Sequence, residues 1–468
     1  MTDHLHPDSV ARELATRISG EVLTAGRPGY DGSRTPYFGI RTGHPVAVVR
    51  PADAIDVAVV VETAADTGLP LHVRGGGHHA AGHATGDGLL LDLRSLDDLS
   101  VPATHGTGQV TVAAGAGLTA GEVTAGLARH GLAVGFGDTD SVGIGGLTLA
   151  GGLGFLSRRD GMTIDNLLAA EVVTADPQIR RVDADHEPDL FWGLRGGGGN
   201  LGVVTRFHYR AVPLTEVYGG VAFLPATASA LHRVVAASID ADDALSVITS
   251  VIPMPPLDDV PAEQHGRPVL MVRACYSGDV RQGEQAVAPL LAAGDPLAGR
   301  VGPMPYPELF ALPTRSHGSV IAARSLFLDR FDLAAAELVM DPMNRSAAPL
   351  RMVQLRPLGG AIGRVDPSAT AFAHRRSELM VVIASNDVPH MVAARAWTEG
   401  LAAKLAPADA GGYIGFFGPH DSDRIRSAYP AATLARLRQL KATYDPSNLF
   451  RHNDNVAPAL VDGSVPVR

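Results

Sequence analysis

One cysteine, Cys275, stands in a chain of 468 residues, so no disulfide can form within it and no cysteine-built zinc or iron–sulfur centre is available. Redox chemistry in such a chain needs an organic cofactor. Long apolar runs are missing too. No stretch approaches the roughly 18 residues of a membrane-spanning helix, and Met1–Ala15 lacks the basic-then-apolar pattern of an export signal. These absences predict a cytoplasmic protein with no membrane partner. Lysine and arginine never gather into a block, and 39 of them face 49 acidic residues for a net charge of −10, which argues against nucleic acid as a partner. Also lacking are GxxxxGK[ST], GxSxG and HExxH, which removes the commonest NTPase, serine-hydrolase and zinc-protease readings.

Glycine, by contrast, is plentiful: 53 of 468 residues, gathered at 75–88, 115–121, 143–154 and 193–202. The usual share is about 7%. An excess clustered in this way points to one bound ligand lined by backbone. The length exceeds the size at which a single core stops growing, which predicts two domains.

The densest stretch is Leu71–Leu93, LHVRGGGHHAAGHATGDGLLLDL. Its apolar runs Leu71–Val73 and Leu89–Leu91 read as strands around a tight loop, with Gly86-Asp87-Gly88 as turn chemistry. Gly75, Gly76 and Gly77 allow positive φ and present bare N–H groups, and Arg74 adds a permanent charge, a combination suited to an anionic cofactor. His78 is delivered where the backbone has been stripped back. A polar connector is the alternative reading. Metal ligation by His78, His79, His83 and Asp87 is not expected, because glycine-rich spacing makes a helical i, i+4 pair unfavourable and no cysteine joins them.

Along the chain, a helix is expected within residues 1–20, a strand within His44–Pro51, and a helix capped by Asp53 that stops at Gly68. Gln109–Ala114 alternates as a strand, and Thr119 with Glu122 forms a capping box opening a helix that Gly131 ends. Gly135–Leu156 is too rich in glycine for ordinary helix or sheet, while its interleaved Val142, Ile144, Leu147, Leu149, Leu153 and Phe155 exclude a linker; it reads as a wall against a flat ligand. A short helix at Asp189–Arg195 precedes Gly197-x-Gly199-x-x-Gly202 and a strand follows, the reverse of the dinucleotide-binding order. Beyond Val212 glycine thins out, and strands at Val269–Cys275, Arg351–Leu355 and Leu379–Ile383 alternate with helices at 281–293 and 390–405. A last helix, about Thr433–Tyr444, is stopped by Asp445-Pro446. Asn448, Arg451, His452, Asn453 and Asn455 then crowd together, as a tail that fixes backbone or returns to the ligand.

Four motifs now carry a resemblance: Val73–His78 (VRGGGH), Ser141–Gly146 with Gly151-Gly152-x-Gly154, Asp189–Gly202 (DLFWGLRGGGGNLG), and Tyr444–Phe450 (YDPSNLF). In this order they resemble the berberine bridge enzyme-like FAD-linked oxidases, of the vanillyl-alcohol-oxidase and p-cresol-methylhydroxylase type, and among these the bacterial members similar to 6-hydroxy-D-nicotine oxidase. The resemblance implies an α+β fold: a split FAD-binding domain, residues 1–212 and 410–468, around an α+β substrate domain, 213–409, whose antiparallel sheet is covered by helices. It implies FAD held by Arg74, Gly75, Gly76, Gly77, His78, His79, Gly82, Thr139, Ser141, Val142, Gly145, Gly146, Gly151, Gly152, Gly154, Asn200, Gly202, Val203, Asn453 and Asn455. The resemblance further implies covalent attachment through His78 alone, because the family's second, cysteine link falls on Thr139. The family's N-Y-x-R-L reads Thr433-Leu434-Ala-Arg436-Leu437 here, so the tyrosine of that segment is absent, although Tyr429 lies nearby.

The same resemblance implies an oxidase that takes a hydride from a C–H beside an alcohol or amine of a small metabolite, in bacterial secondary metabolism or catabolism, and reduces O2 to H2O2. Gln354 on the strand Arg351–Arg356 would face the flavin. Tyr429 and His374 are the candidate bases, and Val142 would gate oxygen. A monomer or homodimer is expected. The alternatives are a flavin scaffold kept for binding or non-redox cyclisation, and a dehydrogenase with another acceptor.

Overall fold

In the computed structural model, residues 7–38, 43–102, 110–310, 321–346, 348–386, 390–406, 410–418 and 425–460 are described. Residues 1–6 of the first expected helix, Gln109 of one expected strand and the expected boundary at 409 lie outside them.

Local signals place the first layer. Asp53 caps Ala54–Thr67 by accepting from the amides of Ile55 and Asp56, and Gly68 ends the helix at φ 68°. Val57, Val60, Val61 and Ala64, at helical spacing, pack into the core that holds Ala47, Val49, Leu71, Leu89 and Leu91. Those residues belong to a four-stranded sheet in the order Glu21–Leu23, Pro45–Arg50, Gly88–Asp92, Leu71–Arg74, the last three parallel. Leu90 and Val48 meet Leu23 and Tyr30 on the other face, so these strands are covered on both sides and read as unbroken apolar runs.

A second sheet runs Leu99–Ser100, Val110–Gly115, Val203–Pro213, Leu167–Val173, Ile179–Asp183, with Leu132–Ala133 also on Val203–Pro213. Thr119 and Glu122 close the capping box of Ala120–Ala128. The hydrogen-bonded Arg94 guanidinium holds the Glu122 carboxyl down to about 2. Within Gly135–Leu156 the expectation of no regular structure fails: Ile144–Ala150 is helical. Its Ile144, Thr148, Leu149 and Ala150 are buried, so packing outweighs the poor helix propensity of Gly145 and Gly146.

The third sheet is antiparallel and seven-stranded, in the order Ala298–Pro305, Glu216–Pro225, Pro268–Tyr276, Leu245–Pro253, Leu350–Pro357, Leu379–Asn386, Ala322–Leu328. One face carries Val247, Val251, Leu270, Val272, Val353, Leu355, Val381 and Ile383. It packs against the helices Ala228–Ile239, Gly283–Leu291, Leu333–Arg345 and Met391–Leu405. The alternate residues Arg273, Ser250, Met352, Gln354, Arg356, Met380 and Val382 point the other way. Met380 and Val382 share a core with the first two sheets and with Tyr413, Leu437, Leu440, Phe450 and Val456 near the C-terminal end. The last helix, Ala431–Tyr444, is locked there by buried Lys441, which donates to Asp445 and to the carbonyls of Asn200 and Phe450. Among the described residues no helix is long and apolar enough to cross a membrane.

Candidate active site

The glycine loop leaves the end of strand Leu71–Arg74 and meets the segment before Ile144–Ala150. A Cβ on Gly76 would lie 2.3 Å from the Gly143 nitrogen, and one on Gly143 only 2.2 Å from the Gly76 nitrogen. The two glycine-rich segments therefore cross backbone to backbone, where only glycine fits. Gly152 and Gly154 likewise face protein, the Thr163 side chain and the Phe136 carbonyl. At these positions glycine is required by contacts within the protein. Gly75 and Gly146 differ: among the described residues, a Cβ on Gly146 would meet nothing within 4 Å, and one on Gly75 nothing nearer than 3.9 Å.

Unpartnered polar atoms occur in the segment crossing this loop and in the C-terminal tail. The side-chain oxygens Ser141 Oγ, Asn453 Oδ1 and Asn455 Oδ1 are buried without a hydrogen-bond partner among the described residues. Buried polar groups are as a rule hydrogen-bonded, so the Ser141 oxygen, next to the bare glycine backbone of the loop, fits a polar group such as FAD. Other residues expected at the cofactor are engaged with protein. The Asn200 amide donates to the Gly197 and Asp454 carbonyls and accepts from the Val456 amide, bracing the C-terminal tail. Gly202 packs on Val172 and Val173, and Val203 is buried in its strand. Arg74 lies beneath the loop, its guanidinium 3.2 to 3.3 Å from where a Gly77 Cβ would stand and bonded to the Ser33 carbonyl. The Thr139 carbonyl accepts the Val142 amide, and the Val142 carbonyl accepts that of Ala120. Gly77, Gly82 and Gly151 take positive φ of 72°, 70° and 135°, which their places in the turns require.

His78 stacks on Tyr37, ring centroids 3.8 Å apart and planes at 20°. Behind it, His79 Nε2 lies 3.0 Å from Asp454 Oδ2 and 3.0 Å from the Ile414 carbonyl, and His83 Nε2 lies 3.3 Å from Asp454 Oδ1. These three side chains bring ligand atoms within 4.8 Å of one another. The Ala81 amide, however, donates to His79 Nδ1 at 3.2 Å. The ring proton then belongs on Nε2, which makes that atom a donor to Asp454 rather than a metal ligand. Burial acts to raise the Asp454 carboxyl, but the two imidazoles outweigh it and hold the group well below its ordinary value.

The open face of the seven-stranded sheet presents a network of which the sequence signalled only Gln354. Asp138, next to Thr139, accepts from Arg273 Nη1 at 2.9 Å and from Arg356 Nη2 at 3.0 Å. Burial opposes the charge on Asp138; the two guanidiniums override it and keep the carboxyl below its usual range. Arg356 also donates through Nε to Gln354 Oε1 at 2.9 Å and through Nη1 to the Leu153 carbonyl, while Gln354 Nε2 donates to Ser250 Oγ. Tyr413, also missed, accepts the Gly152 amide at 2.8 Å on its hydroxyl, whose pKa burial pushes up to about 12. Its one sequence signal was the return of glycine at 411–415. Tyr429 and His374 are engaged elsewhere. The Tyr429 hydroxyl donates to the Gly196 carbonyl, and His374 bonds to the Ala428 carbonyl and stacks on Phe327. Burial pushes the Tyr429 hydroxyl up and His374 down.

Comparison with known proteins agrees with this geometry. A family profile described as FAD binding domain matches residues 45–183, and one described as berberine and berberine like matches 415–457. The chain is 30% identical over 434 residues to FAD-linked oxidoreductase OXR1 of Pyricularia oryzae, covering 86% of this chain and 82% of that protein. To the (R)-6-hydroxynicotine oxidase of Paenarthrobacter nicotinovorans it is 28% identical over 476 residues, 96% of this chain and 99% of the other. The solved glucooligosaccharide oxidase of Acremonium strictum, with its 6-S-cysteinyl, 8α-N1-histidyl FAD, shares the fold at a TM-score of 0.84 and 22% identity, over 97% of this chain and 100% of that one. With both family profiles in place and a relative aligned over most of its length, this chain belongs to the berberine bridge enzyme-like FAD-linked oxidoreductases, enzymes built on the α+β flavin fold of the vanillyl-alcohol-oxidase type.

Proposed function

We propose that the chain is an oxidase that takes a hydride from a C–H beside an alcohol or amine of a small metabolite and hands the electrons to O2. The observation that carries this reading is the loop that ends in His78, where glycines 75 and 146 stand open and the buried Ser141 Oγ of the segment crossing it has no hydrogen-bond partner among the described residues. FAD bound there supplies the hydride acceptor. Residues 1–212 with 410–468 hold it, and residues 213–409 bring the substrate to it.

His78 is its one covalent anchor. Thr139 occupies the place of the second anchor, and Cys275 is fully buried in the third sheet with its thiol pushed up to about 12, so it stays an unreactive thiol. Gln354 and Arg356 orient the substrate, held in place by Ser250 and Asp138. Tyr413 keeps its proton at neutral pH and serves as a donor; the Gly152 amide fixes the direction of its hydroxyl. Half-buried Val142 leaves O2 a path.

Anaerobic mixing with candidate alcohols and amines tests this. The flavin colour should bleach with one of them, then return on admission of air together with peroxide. Tight binding without bleaching would replace the reading by a non-redox scaffold. Bleaching that air does not reverse would make the protein a dehydrogenase with another acceptor.

A further inference from the structure

Tyr37 closes a segment rich in turn residues, Pro28–Pro36, to which the sequence assigns no chemistry. The Tyr37 amide donates to the Gly77 carbonyl at 3.0 Å, which pins it to the residue before His78. Its ring is 7% exposed and lies over the imidazole, centroids 3.8 Å apart and planes at 20°. Phe38 stands edge-on to both rings, 5.0 Å from Tyr37 at 80° and 6.4 Å from His78 at 87°. One face of His78 is thus covered by aromatic carbon, and the plane that contains both ring nitrogens is set. The second side-chain torsion of a free histidine is broad, so this packing removes a freedom that the loop backbone leaves open.

We propose that Tyr37 is the positioning residue for covalent attachment of the flavin at His78, an inference that rests on the reading of His78 as the anchor. Attachment forms one C–N bond between an unprotonated nitrogen of His78 and the flavin 8α carbon and breaks one C–H bond at that carbon. The proton leaves to solvent, and the electron pair passes to the isoalloxazine, from which O2 removes it as hydrogen peroxide. A reaction between two held groups depends steeply on their mutual orientation. Tyr37 supplies that orientation on the histidine side, and its hydroxyl is not needed for it.

The test compares flavin that stays with the denatured protein against total flavin bound before denaturation, followed over time after expression or FAD addition. Tyr37→Phe and Tyr37→Trp keep a ring and should attach as the parent does. Tyr37→Leu and Tyr37→Met fill the space without one and should attach on the order of tenfold more slowly, with total bound FAD retained. Two variants of each kind keep the comparison intact if one fails to fold. Attachment in Tyr37→Leu or Tyr37→Met at the parent's rate overturns the proposal, as does equal slowing by Tyr37→Phe. A parent whose flavin is wholly extracted by acid refutes the anchor itself, and this inference falls with it, whereas a covalent parent with unaffected Tyr37 variants refutes only the role of the stack.

Discussion

The two faces of the seven-stranded sheet come from the same strands, one residue out of step. Val353, Leu355, Val381 and Ile383 meet helices and are wholly buried in hydrocarbon. Gln354 and Arg356, their immediate neighbours, meet Ser250, Asp138 and the Leu153 carbonyl. Among the described residues, no carboxylate between 216 and 406 is buried; the acid of the open face, Asp138, is contributed from outside the sheet. The difference teaches that apolar packing and the buried polar network are separated here by strand register. A slip of one residue would put Arg356 among leucines and Leu355 in the site.

The largest expected effect comes from removing the acid that joins the open face to the flavin-binding segments. Asp138→Ala leaves Arg273 and Arg356 buried beside each other, a change that costs about 3–5 kcal/mol. Chemical denaturation measures it, and a loss below about 1 kcal/mol would mean that the two guanidiniums find other partners. On the covered face, Leu355→Ala should cost about 3 kcal/mol through lost burial and a cavity, yet leave substrate affinity of the folded protein unchanged. A shifted affinity there would break the separation between the faces.

Acid should act through the carboxylates beside the site. The Asp138 and Asp454 carboxyls both lie below their ordinary values in the folded chain. Each therefore contributes stability that is present above the unfolded carboxyl value of about 3.9 and is lost as pH falls toward the folded one. Denaturation midpoints should drop as pH falls below about 4 and keep dropping toward the folded values, and Asp454→Asn should show a shallower drop than the parent. An equal slope would assign the acid sensitivity to other groups.

Local signals were readable from sequence and non-local ones were not. Asp53, Gly68, the Thr119–Glu122 box and Asp445-Pro446 act within a few residues of themselves, and their helices lie where they indicate. The glycine runs marked the candidate site, because glycine excess has few causes, but they could not say which glycines face protein. Gly76 and Gly143 are glycine because two chain segments 67 residues apart touch there. Asp138 and Arg356 meet across 218 residues, with no periodicity to announce them. Tyr429 drew notice through proximity in sequence to an altered motif, while Tyr413, one residue past a glycine pair, occupies the side of the sheet where Arg356 lies.

The central claim is that this glycine loop holds FAD and binds it through His78. Mass analysis of the denatured, protease-digested protein tests it directly. The peptide that contains His78 should carry the mass of one FAD, and that adduct should vanish in His78→Ala while the rest of the map is unchanged. A parent digest in which the His78 peptide has its bare mass, or in which the flavin is found on another residue, would contradict the account.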